Sequence, residues 1–272
     1  MDDAVLATLN YLAPGSVRNR LYVAPGAQMT TTRYMSRTVP IVNGRPFIED
    51  FGLDTSGFTL LDHVSAVTDF GDAGEVDRVY VPEATELVRC LTGADEVVSI
   101  GWVIRRSAED KRGAQPPASD VHVDIDPARA AERFDALPHS GPWRRAVMTS
   151  LWRTFSPPPQ DWPLALLDAR SVADDEGVPN LLLFVDSLPD PDNVPDIEDH
   201  ASRPAGSIFA YRAAHHWWYF PDMGAGEALL FKLYDTDRSV AWRVPHTAFH
   251  DKGTSGAHPR ESIELRTVAF YY

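Results

Sequence analysis

The chain has little of several features that define whole classes of protein. Cysteine occurs once, at Cys90 in 272 residues, which excludes an internal disulfide and is typical of a reducing compartment. No stretch reaches the roughly 20 apolar residues that a membrane-spanning helix needs. The start Met1-Asp2-Asp3 also lacks the basic and apolar regions of a secretory signal. We therefore expect a cytoplasmic protein without a membrane partner.

Positive charge is scarce as well. Lysine and arginine total 25 against 39 aspartates and glutamates, for a formal net charge of −14. This balance argues against a nucleic-acid groove or an anionic membrane surface as the partner. With 44% apolar and 10% aromatic residues, the chain can bury the core of one domain. The sequence gives no indication of the oligomeric state.

Two histidines and one aspartate are placed as a set of metal ligands. His122 and Asp124 are two residues apart, so on a strand both point to one face while Val123 points into the packing. His246 lies far downstream and reaches the same ion only if several strands return the chain to that place, as in a jelly roll. Two imidazoles and one carboxylate leave three metal positions open, as O₂ chemistry at non-haem Fe(II) requires. An isolated H-x-D also fits a hydrogen-bonded pair on a half-exposed strand.

A second pattern follows near the C-terminus, where polar residues share one strand parity. They are Arg260, Ser262, Glu264 and Arg266. A guanidinium binds a carboxylate through two parallel hydrogen bonds, and a hydroxyl two residues away adds a third on the same face. Arg260 and Ser262 are therefore candidates to bind the carboxylate of an oxo-acid cosubstrate. An ordinary surface strand shows the same alternation, with its polar side in water.

Other histidines compete for the distal ligand position. His215 and His216 precede an aromatic strand, but adjacent strand residues face opposite ways, so at most one can point at a metal. Neither is followed by an R-x-S at a suitable distance. His250 lies in a Gly/Ser/Pro loop and is expected to be solvated. We therefore predict His246 as the distal metal ligand.

Turn chemistry and periodicity predict a mainly β fold: a double-stranded β-helix (jelly roll, cupin-like) core with flanking helices. We expect one domain, with an N-terminal cover over 1–99 and the core with the metal site over 100–272. Helices are predicted over 83–91 and 128–134, the latter capped by Asp126. Charged or Pro-rich loops are predicted over 105–119 and 187–204, the second as a lid over the mouth. Strands are predicted over 98–104, 146–155, 164–172, 208–213, 216–220, 228–234, 240–245 and 262–271.

Several segments together resemble a known family. They are Trp152-Arg153, 163–172 (PLALLDARSV), 216–221 (HWWYFP), 230–235 (LFKLYD), 245–249 (PHTAF) and 260–266 (RESIELR), with shorter words at 57–60 (GFTL), 79–83 (VYVPE) and 92–94 (TGA). Their order over nearly the whole chain resembles the hydroxylase/desaturase family that includes gibberellin-desaturase-like and cephamycin-cluster-like proteins. That family is a branch of the non-haem Fe(II)/2-oxoglutarate-dependent oxygenases.

The resemblance implies roles for individual residues. His122, Asp124 and His246 would hold Fe(II), and Arg260 with Ser262 would hold the far carboxylate of 2-oxoglutarate. Arg266 is a second candidate for that carboxylate. The chain departs from the family at Ile125, where an aromatic residue is common, and at Ser150, where we expect Asn. Both departures concern substrate and cosubstrate contacts.

A wall for the substrate is predicted from aromatic residues and one arginine. The run 217–220 (WWYF) is typical of a core, but strand alternation sends half of it toward a pocket. We predict Trp218, Tyr219, Trp152 and Arg153 as substrate-binding residues, with Arg153 as an anchor for a substrate carboxylate.

The reaction implied is oxidation of an unactivated C–H bond of a small molecule, with O₂ as the second cosubstrate, in secondary-metabolite biosynthesis. Hydroxylation, desaturation and oxidative ring closure all stay open. The alternative is a jelly-roll protein with a metal but no redox chemistry, either a Zn hydrolase or isomerase or a small-molecule binding module. Arg260 and Ser262 discriminate between the oxygenase and the non-redox protein, because a hydrolase does not need a binding site for an oxo acid.

Overall fold

The computed structural model of the protein describes residues 4–108, 114–196 and 205–272, and over these ranges the chain forms two β-sheets. The strands are β1 (Ala4–Leu12), β2 (Arg20–Ala24), β3 (Ala27–Thr30), β4 (Tyr34–Asn43), β5 (Phe58–Asp62), β6 (Glu96–Arg106), β7 (His122–Val123), β8 (Arg145–Thr154), β9 (Leu164–Leu167), β10 (Val178–Phe184), β11 (Ala205–Ile208), β12 (Trp217–Tyr219), β13 (Glu227–Asp235), β14 (His246–Ala248) and β15 (Glu261–Tyr271). The ten-stranded sheet has the order β1-β4-β12-β9-β14-β7-β11-β10-β2-β3, and the five-stranded sheet has the order β5-β13-β8-β15-β6.

The chain alternates between the two sheets from β6 to β9 and again from β12 to β15. Strands β7, β9, β12 and β14 lie in the larger sheet, whereas β6, β8, β13 and β15 lie in the smaller one. The two sheets share one apolar core. Leu166 and Val244 contribute to it from the side of the larger sheet, and Phe231 contributes from the smaller sheet. This alternation is the topology of a double-stranded β-helix, so the predicted mainly β jelly-roll fold is confirmed.

The helices flank the sheets. They are α1 (Ala73–Glu75), continued by a π-helical turn (Val76–Tyr80), then α2 (Val81–Thr92) and α3 (Pro127–Asp135), with 3₁₀ turns at Arg45–Asp50 and Ala169–Ser171. Helix α2 packs Ala84 and Val88 against the outer face of β15 and ends at Gly93 with φ 65°. The Asp126 side chain accepts from the Ala128 N–H at 3.0 Å, as the sequence predicts. None of the helices in the described ranges is both long and apolar enough to cross a bilayer.

Both edges of the larger sheet are built from N-terminal strands. Strand β4 pairs with β1 and β12 at one edge, and β2 pairs with β3 and β10 at the other. We call the four strands β11, β10, β2 and β3 (205–208, 178–184, 20–24 and 27–30) the wing, because they extend the sheet beyond β7. The division into a cover over 1–99 and a core over 100–272 stays a prediction, as does the single domain.

Some strand predictions differ from the structure. The strand predicted over 164–172 ends at Leu167, because the Asp168 side chain accepts from the Arg170 N–H and starts a 3₁₀ turn. Residues 240–245, which the structure describes, do not form the predicted strand. Strand β14 begins directly after Pro245, because proline has no N–H to donate to a neighbouring strand. Strand β11 covers 205–208 instead of 208–213. Of the predicted loops, residues 109–113 and 197–204 lie outside the described residues.

A buried cation stabilises the smaller sheet. Lys232 Nζ donates to Asp54 Oδ1 and Asp235 Oδ2 at 2.6 Å and to the Ala241 carbonyl at 2.9 Å. We expect Lys232→Met to lower the free energy of unfolding by about 2 kcal/mol, because Asp235 would lose its buried ammonium partner while keeping its pairing with Arg145. Chemical denaturation measures this. Lys252→Met at an exposed position is the control, and an equal effect of both variants would contradict the prediction.

Candidate metal centre

The three predicted metal ligands converge inside the fold. One ligand atom from each of His122, Asp124 and His246 lies within 4.8 Å of the others. His122 Nε2 is 3.6 Å from Asp124 Oδ1, and the two imidazole centroids are 4.5 Å apart. No second group of three such side chains occurs in the part of the chain that the structure describes. Two nitrogen donors and one carboxylate thus share one small volume.

Strand register brings the ligands together. His246 on β14 lies directly opposite His122 on β7, so both rings project from the same face of the sheet. Strand β11 pairs with β7 on the other side, and Gly206 approaches the ligand strand closely. A Cβ at Gly206 would lie 2.8 Å from the Val123 carbonyl oxygen, so any larger residue would displace the backbone between His122 and Asp124.

Both imidazoles are oriented by main-chain carbonyls. His122 Nδ1 is 2.8 Å from the Asp120 carbonyl oxygen, and His246 Nδ1 is 3.1 Å from the Val244 carbonyl oxygen. A carbonyl can only accept, so each Nδ1 carries a proton and each Nε2 is left to bind a metal. Gly57, with φ 87°, lets the chain approach Val244, since a Cβ there would lie 2.4 Å from Val244 Cγ2.

Asp124 is held by a chain of charges. Arg266 Nε donates to Asp124 Oδ2 at 2.9 Å, and a second Arg266 nitrogen donates to Glu264 Oε1 at 2.6 Å. Arg105 in turn donates to both oxygens of Glu264 at 2.9 and 3.0 Å. Burial acts to raise the pKa of Asp124, but Arg266 and the histidines hold that pKa well below its usual range. The Asp124 carboxylate is therefore ionised and can bind a cation.

The two histidines differ in their proton affinity. Burial lowers the pKa of His122, but the carboxylates of Asp120 and Asp124 outweigh it and raise that pKa to about 9. Burial and the neighbouring His122 lower the pKa of His246 to about 4. Without a metal the centre therefore holds one proton on His122 Nε2, and a divalent cation would take its place.

Arg266, a candidate for cosubstrate binding from the sequence, instead bonds to the predicted metal carboxylate. We expect Arg266→Gln to weaken Co(II) binding about 10- to 100-fold, because Asp124 loses the partner that orients it. Anaerobic titration measures the dissociation constant, with Arg89→Gln at a surface pair with Glu86 as control. If metal affinity stays unchanged and only 2-oxoglutarate binds more weakly, Arg266 holds the cosubstrate instead.

Arg260 and Ser262 form a buried polar pair that lacks an anion. Both are 1% exposed, and Arg260 Nε and Ser262 Oγ have no hydrogen-bond partner among the described residues. One Arg260 nitrogen donates to the Trp162 carbonyl at 2.7 Å. Burial, followed by the nearby Arg105, lowers the pKa of Arg260 to about 9. An uncompensated buried guanidinium beside an orphaned hydroxyl fits a carboxylate supplied by a ligand.

Arg153 is not part of this interior, contrary to the prediction that it anchors a substrate. It lies opposite Ile263, on the face of β8 that packs against the helices. One of its terminal nitrogens is 2.6 Å from His63 Nδ1, and its guanidinium stacks over the Tyr80 ring. The neighbouring Trp152 faces the other way and lies under Arg260, with the guanidinium carbon 5.6 Å from the ring centroid.

Trp218 and Tyr219 are core residues on β12, where Trp218 lies opposite Leu166, the residue that also lies opposite His246. The Trp218 indole donates to Asp168 Oδ2 at 3.0 Å and packs edge-on against Phe51, while Tyr219 packs against Phe249. None of these residues, nor Trp152, lines the cavity beside His122 and Asp124, and their role in substrate binding stays a prediction. Large rings are buried equally well in either role, which is why the sequence did not separate them.

The competing histidines are engaged elsewhere. His215 Nε2 is 2.8 Å from Glu176 Oε2, and the His216 ring packs against Trp218. His250 packs against Trp162 in the loop before β15. None of the three belongs to the ligand cluster of the described residues.

A cavity of about 350 Å³ opens beside His122 and Asp124. Its apolar lining comes mostly from the wing, with Val103 of β6 in addition; the wing residues are Leu21, Val23, Leu182, Phe184 and Ile208. Sequence reasoning missed β10 and with it most of this wall. The run 181–184 (LLLF), which follows Gly177, is a signal for a buried strand that would have identified it.

Comparisons with known proteins agree with this geometry. A family model described as "Oxidoreductase/YMDC permease-like domain" matches residues 9–270. The chain is 32% identical to the hydroxylase/desaturase CTB9 of Cercospora beticola, over 88% of this chain and 78% of the relative. It is 29% identical to the alpha-ketoglutarate-dependent dioxygenase phiK from a fungal strain (Fungal sp. ATCC 74256), over 98% and 96%.

A solved structure is similar over the entire chain. The iron and alpha-ketoglutarate-dependent endoperoxidase NvfI superposes with a TM-score of 0.81 and 25% identity, covering 100% of this chain and 99% of that one. The family resemblance read from the sequence is thus confirmed by the family model, by the relatives and by the fold. The chain belongs to the hydroxylase/desaturase family of non-haem Fe(II)/2-oxoglutarate-dependent oxygenases.

Proposed function

We propose that this protein is an Fe(II)- and 2-oxoglutarate-dependent oxygenase that oxidises a C–H bond of a small molecule, with His122, Asp124 and His246 as the iron ligands. The observation that carries the proposal is the ligand set itself. One ring nitrogen from each imidazole and one oxygen of an ionised carboxylate lie within 4.8 Å of one another. Two histidines and one carboxylate with open positions are the ligand set of non-haem Fe(II) oxygenases.

Bound iron would supply O₂ activation coupled to oxidative decarboxylation of 2-oxoglutarate to succinate. The protein's own part begins with Arg260 and Ser262, which would bind the far carboxylate of the cosubstrate. That carboxylate would satisfy the orphaned Arg260 Nε and Ser262 Oγ together. Its negative charge would also offset a guanidinium that is buried without a carboxylate partner among the described residues.

Further residues would orient the ligands and keep the interior dry. Phe231 packs its ring 4.7 Å from that of His246, on the side of the smaller sheet. Arg266 takes one carboxylate oxygen of Asp124 and leaves the other to a metal. A rigid, apolar surrounding limits side reactions with solvent while one substrate C–H bond is held near the centre.

The type of product is open within the family. The relatives are named hydroxylase/desaturase, dioxygenase and endoperoxidase, so one scaffold supports several outcomes. Hydroxylation, desaturation or oxidative ring closure in secondary metabolism is the proposal for this chain. Its single cysteine and acidic surface support a cytoplasmic location with a small-molecule partner and no nucleic acid.

The experiment is an anaerobic titration of metal-free protein with Fe(II) and then 2-oxoglutarate. We expect the weak visible charge-transfer band of a 2-oxo acid chelated to ferrous iron, because the ligand set leaves positions open for both of its oxygens. Zn(II) is titrated in parallel. Tight zinc binding without any band from iron and 2-oxoglutarate would favour the non-redox hydrolase, isomerase or binding module instead.

A further inference from the structure

The cavity beside the three ligands has an apolar floor that the family likeness does not explain. Strand register places this floor on the face that carries the ligands. Ile208 lies opposite His122, and Leu182 and Phe184 on β10 lie opposite Leu21 and Val23 on β2. Because paired residues point to one side, the apolar row continues from His122 across the wing. We call Ile208, Leu182, Leu21, Phe184 and Val23 the wing floor.

The wing already has a separate core on its other face. Leu181, Leu183 and Tyr22 alternate with the floor residues and pack together, joined by Leu188 and Val194 from the described part of the loop predicted as a lid. That part of the loop therefore covers the outer face of the wing and not the cavity. Among the described residues, exposure of the floor rises away from the ligands: Ile208 is buried, Leu182, Leu21 and Val23 are half-buried, and Phe184 is 72% exposed. An exposed apolar row that leads to a candidate catalytic centre is typical of a ligand surface.

The charged groups around the cavity are already paired. Arg266 bonds to Asp124 and Glu264, and Arg105 bonds to both oxygens of Glu264. The third cation of the described lining in the metal-free protein is His122, whose Nε2 is 3.6 Å from Asp124 Oδ1, so each of the three already faces a protein carboxylate. Asp120 accepts from the Tyr34 hydroxyl at 3.2 Å. A carboxylate, phosphate or sulfate entering here would lose hydration without gaining a free cation from the described lining.

Neutral polar groups complete the lining. Gln28, Gln115 and Asn180 place carboxamides at the cavity wall. Asn180 Oδ1 accepts from Thr32 Oγ1 at 3.2 Å, and its amide nitrogen has no acceptor among the described residues. An amide N–H can donate to a carbonyl, ether or hydroxyl oxygen of a ligand without demanding a charge.

We propose that the wing floor binds the substrate, and that this substrate is an uncharged, mainly apolar small molecule with an oxygen function that accepts from Asn180. The inference rests on the proposed function, because it is the ligand cluster that makes the adjoining cavity a substrate site. Its volume of about 350 Å³ lies within the range of sites for drug-sized ligands. The apolar body would lie over Leu182 and Phe184, with one C–H bond toward the centre.

Two dyes of opposite character test the proposal on metal-free protein. Nile red is neutral and mainly apolar with one carbonyl oxygen, whereas anilinonaphthalene sulfonate is apolar but anionic, and both fluoresce more strongly in apolar sites. We expect Nile red to bind at least about tenfold more tightly than the sulfonate, because the floor offers the anion no free cation. Equal or tighter binding of the sulfonate, or no enhancement with either dye, would overturn the proposal.

Variants locate the binding. Phe184→Asp should weaken Nile red binding about tenfold, since it places a charge on the floor at a position too exposed to be needed for folding. Leu6→Asp, at a comparably exposed apolar residue on β1, is the matched control and should change nothing. Phe184→Lys should weaken Nile red but strengthen the sulfonate. Identical effects of Phe184→Asp and Leu6→Asp would show that the dye binds elsewhere.

Asn180→Ala tests the polar contact. Loss of one neutral hydrogen bond should weaken Nile red about fivefold, and unchanged binding would remove Asn180 from the proposal. Because the dye titrations need no metal, they are independent of the iron titration. A chelate band without selective dye binding would overturn the substrate class alone, whereas dye binding without a band would overturn the proposed function.

Discussion

Asp124→Ala is expected to lower 2-oxoglutarate-dependent succinate formation at least about a hundredfold, because it removes the one anionic ligand of the centre. The loss goes beyond a missing ligand atom. Arg266 would keep its charge beside the metal position with only Glu264 as a partner, and that charge would repel a divalent cation. Anaerobic Fe(II) titration should show a matching loss of binding.

Two histidines provide a matched comparison for the same centre. His246→Ala should abolish iron-dependent turnover, since its imidazole belongs to the ligand cluster. His250→Ala should leave turnover near the wild-type level, because that ring packs against Trp162 outside the cluster. Turnover that survives His246→Ala, or that is lost equally in both variants, would remove His246 from the ligand set. Circular dichroism of each variant separates ligand loss from misfolding.

The proximity of His122 and Asp124 was predictable from their spacing. The sequence placed both on one strand face, and in the structure His122 lies on β7 while Asp124 directly follows its last residue. The pairing of His246 with His122 is different, since it depends on β14 returning beside β7 across the sheet. Residue order and family resemblance indicated this pairing, and the register confirms that the two residues lie opposite each other.

The substrate wall was not predictable in the same way. Parity along β8 puts Trp152 and Arg153 on opposite faces, but the sequence alone did not say which face meets the cavity. The pairing of β8 with β15 decides which face meets the interior. Trp152 lies opposite Glu264, which faces the interior, whereas Arg153 lies opposite Ile263, which packs against α2. The wing depends even more on strand pairing between distant parts of the chain. It joins β2 from the N-terminal region to β10 in a parallel pair that no local signal specifies.

Arg266 shows how one residue type can satisfy two predictions. On strand parity it suited a cosubstrate carboxylate as well as Arg260 did. The structure places a protein carboxylate, Asp124, within 2.9 Å of Arg266 Nε, whereas Arg260 bonds to a main-chain carbonyl and has no carboxylate partner in the described chain. An arginine that lacks its anion is the better candidate to receive one from a ligand.

Arg260→Ala is therefore expected to raise the KM for 2-oxoglutarate about a hundredfold, equivalent to about 2.7 kcal/mol for a buried charge-assisted contact. The turnover number should fall much less, because the metal ligands stay in place. Ser262→Ala removes a single neutral hydrogen bond and should raise KM only about fivefold. Steady-state succinate formation over a range of cosubstrate concentrations measures both variants.

A cosubstrate analogue turns this expectation into a specific test of contact. 2-Oxovalerate keeps the keto and adjacent carboxylate groups but has a methyl group where 2-oxoglutarate has its far carboxylate. Wild-type protein should prefer 2-oxoglutarate strongly, and Arg260→Ala should lose that preference, because the guanidinium discriminates only through the missing carboxylate. If Arg260→Ala weakens both acids by the same factor, the residue acts on the fold around Trp162 and Trp152, and the far carboxylate must be bound by another cation.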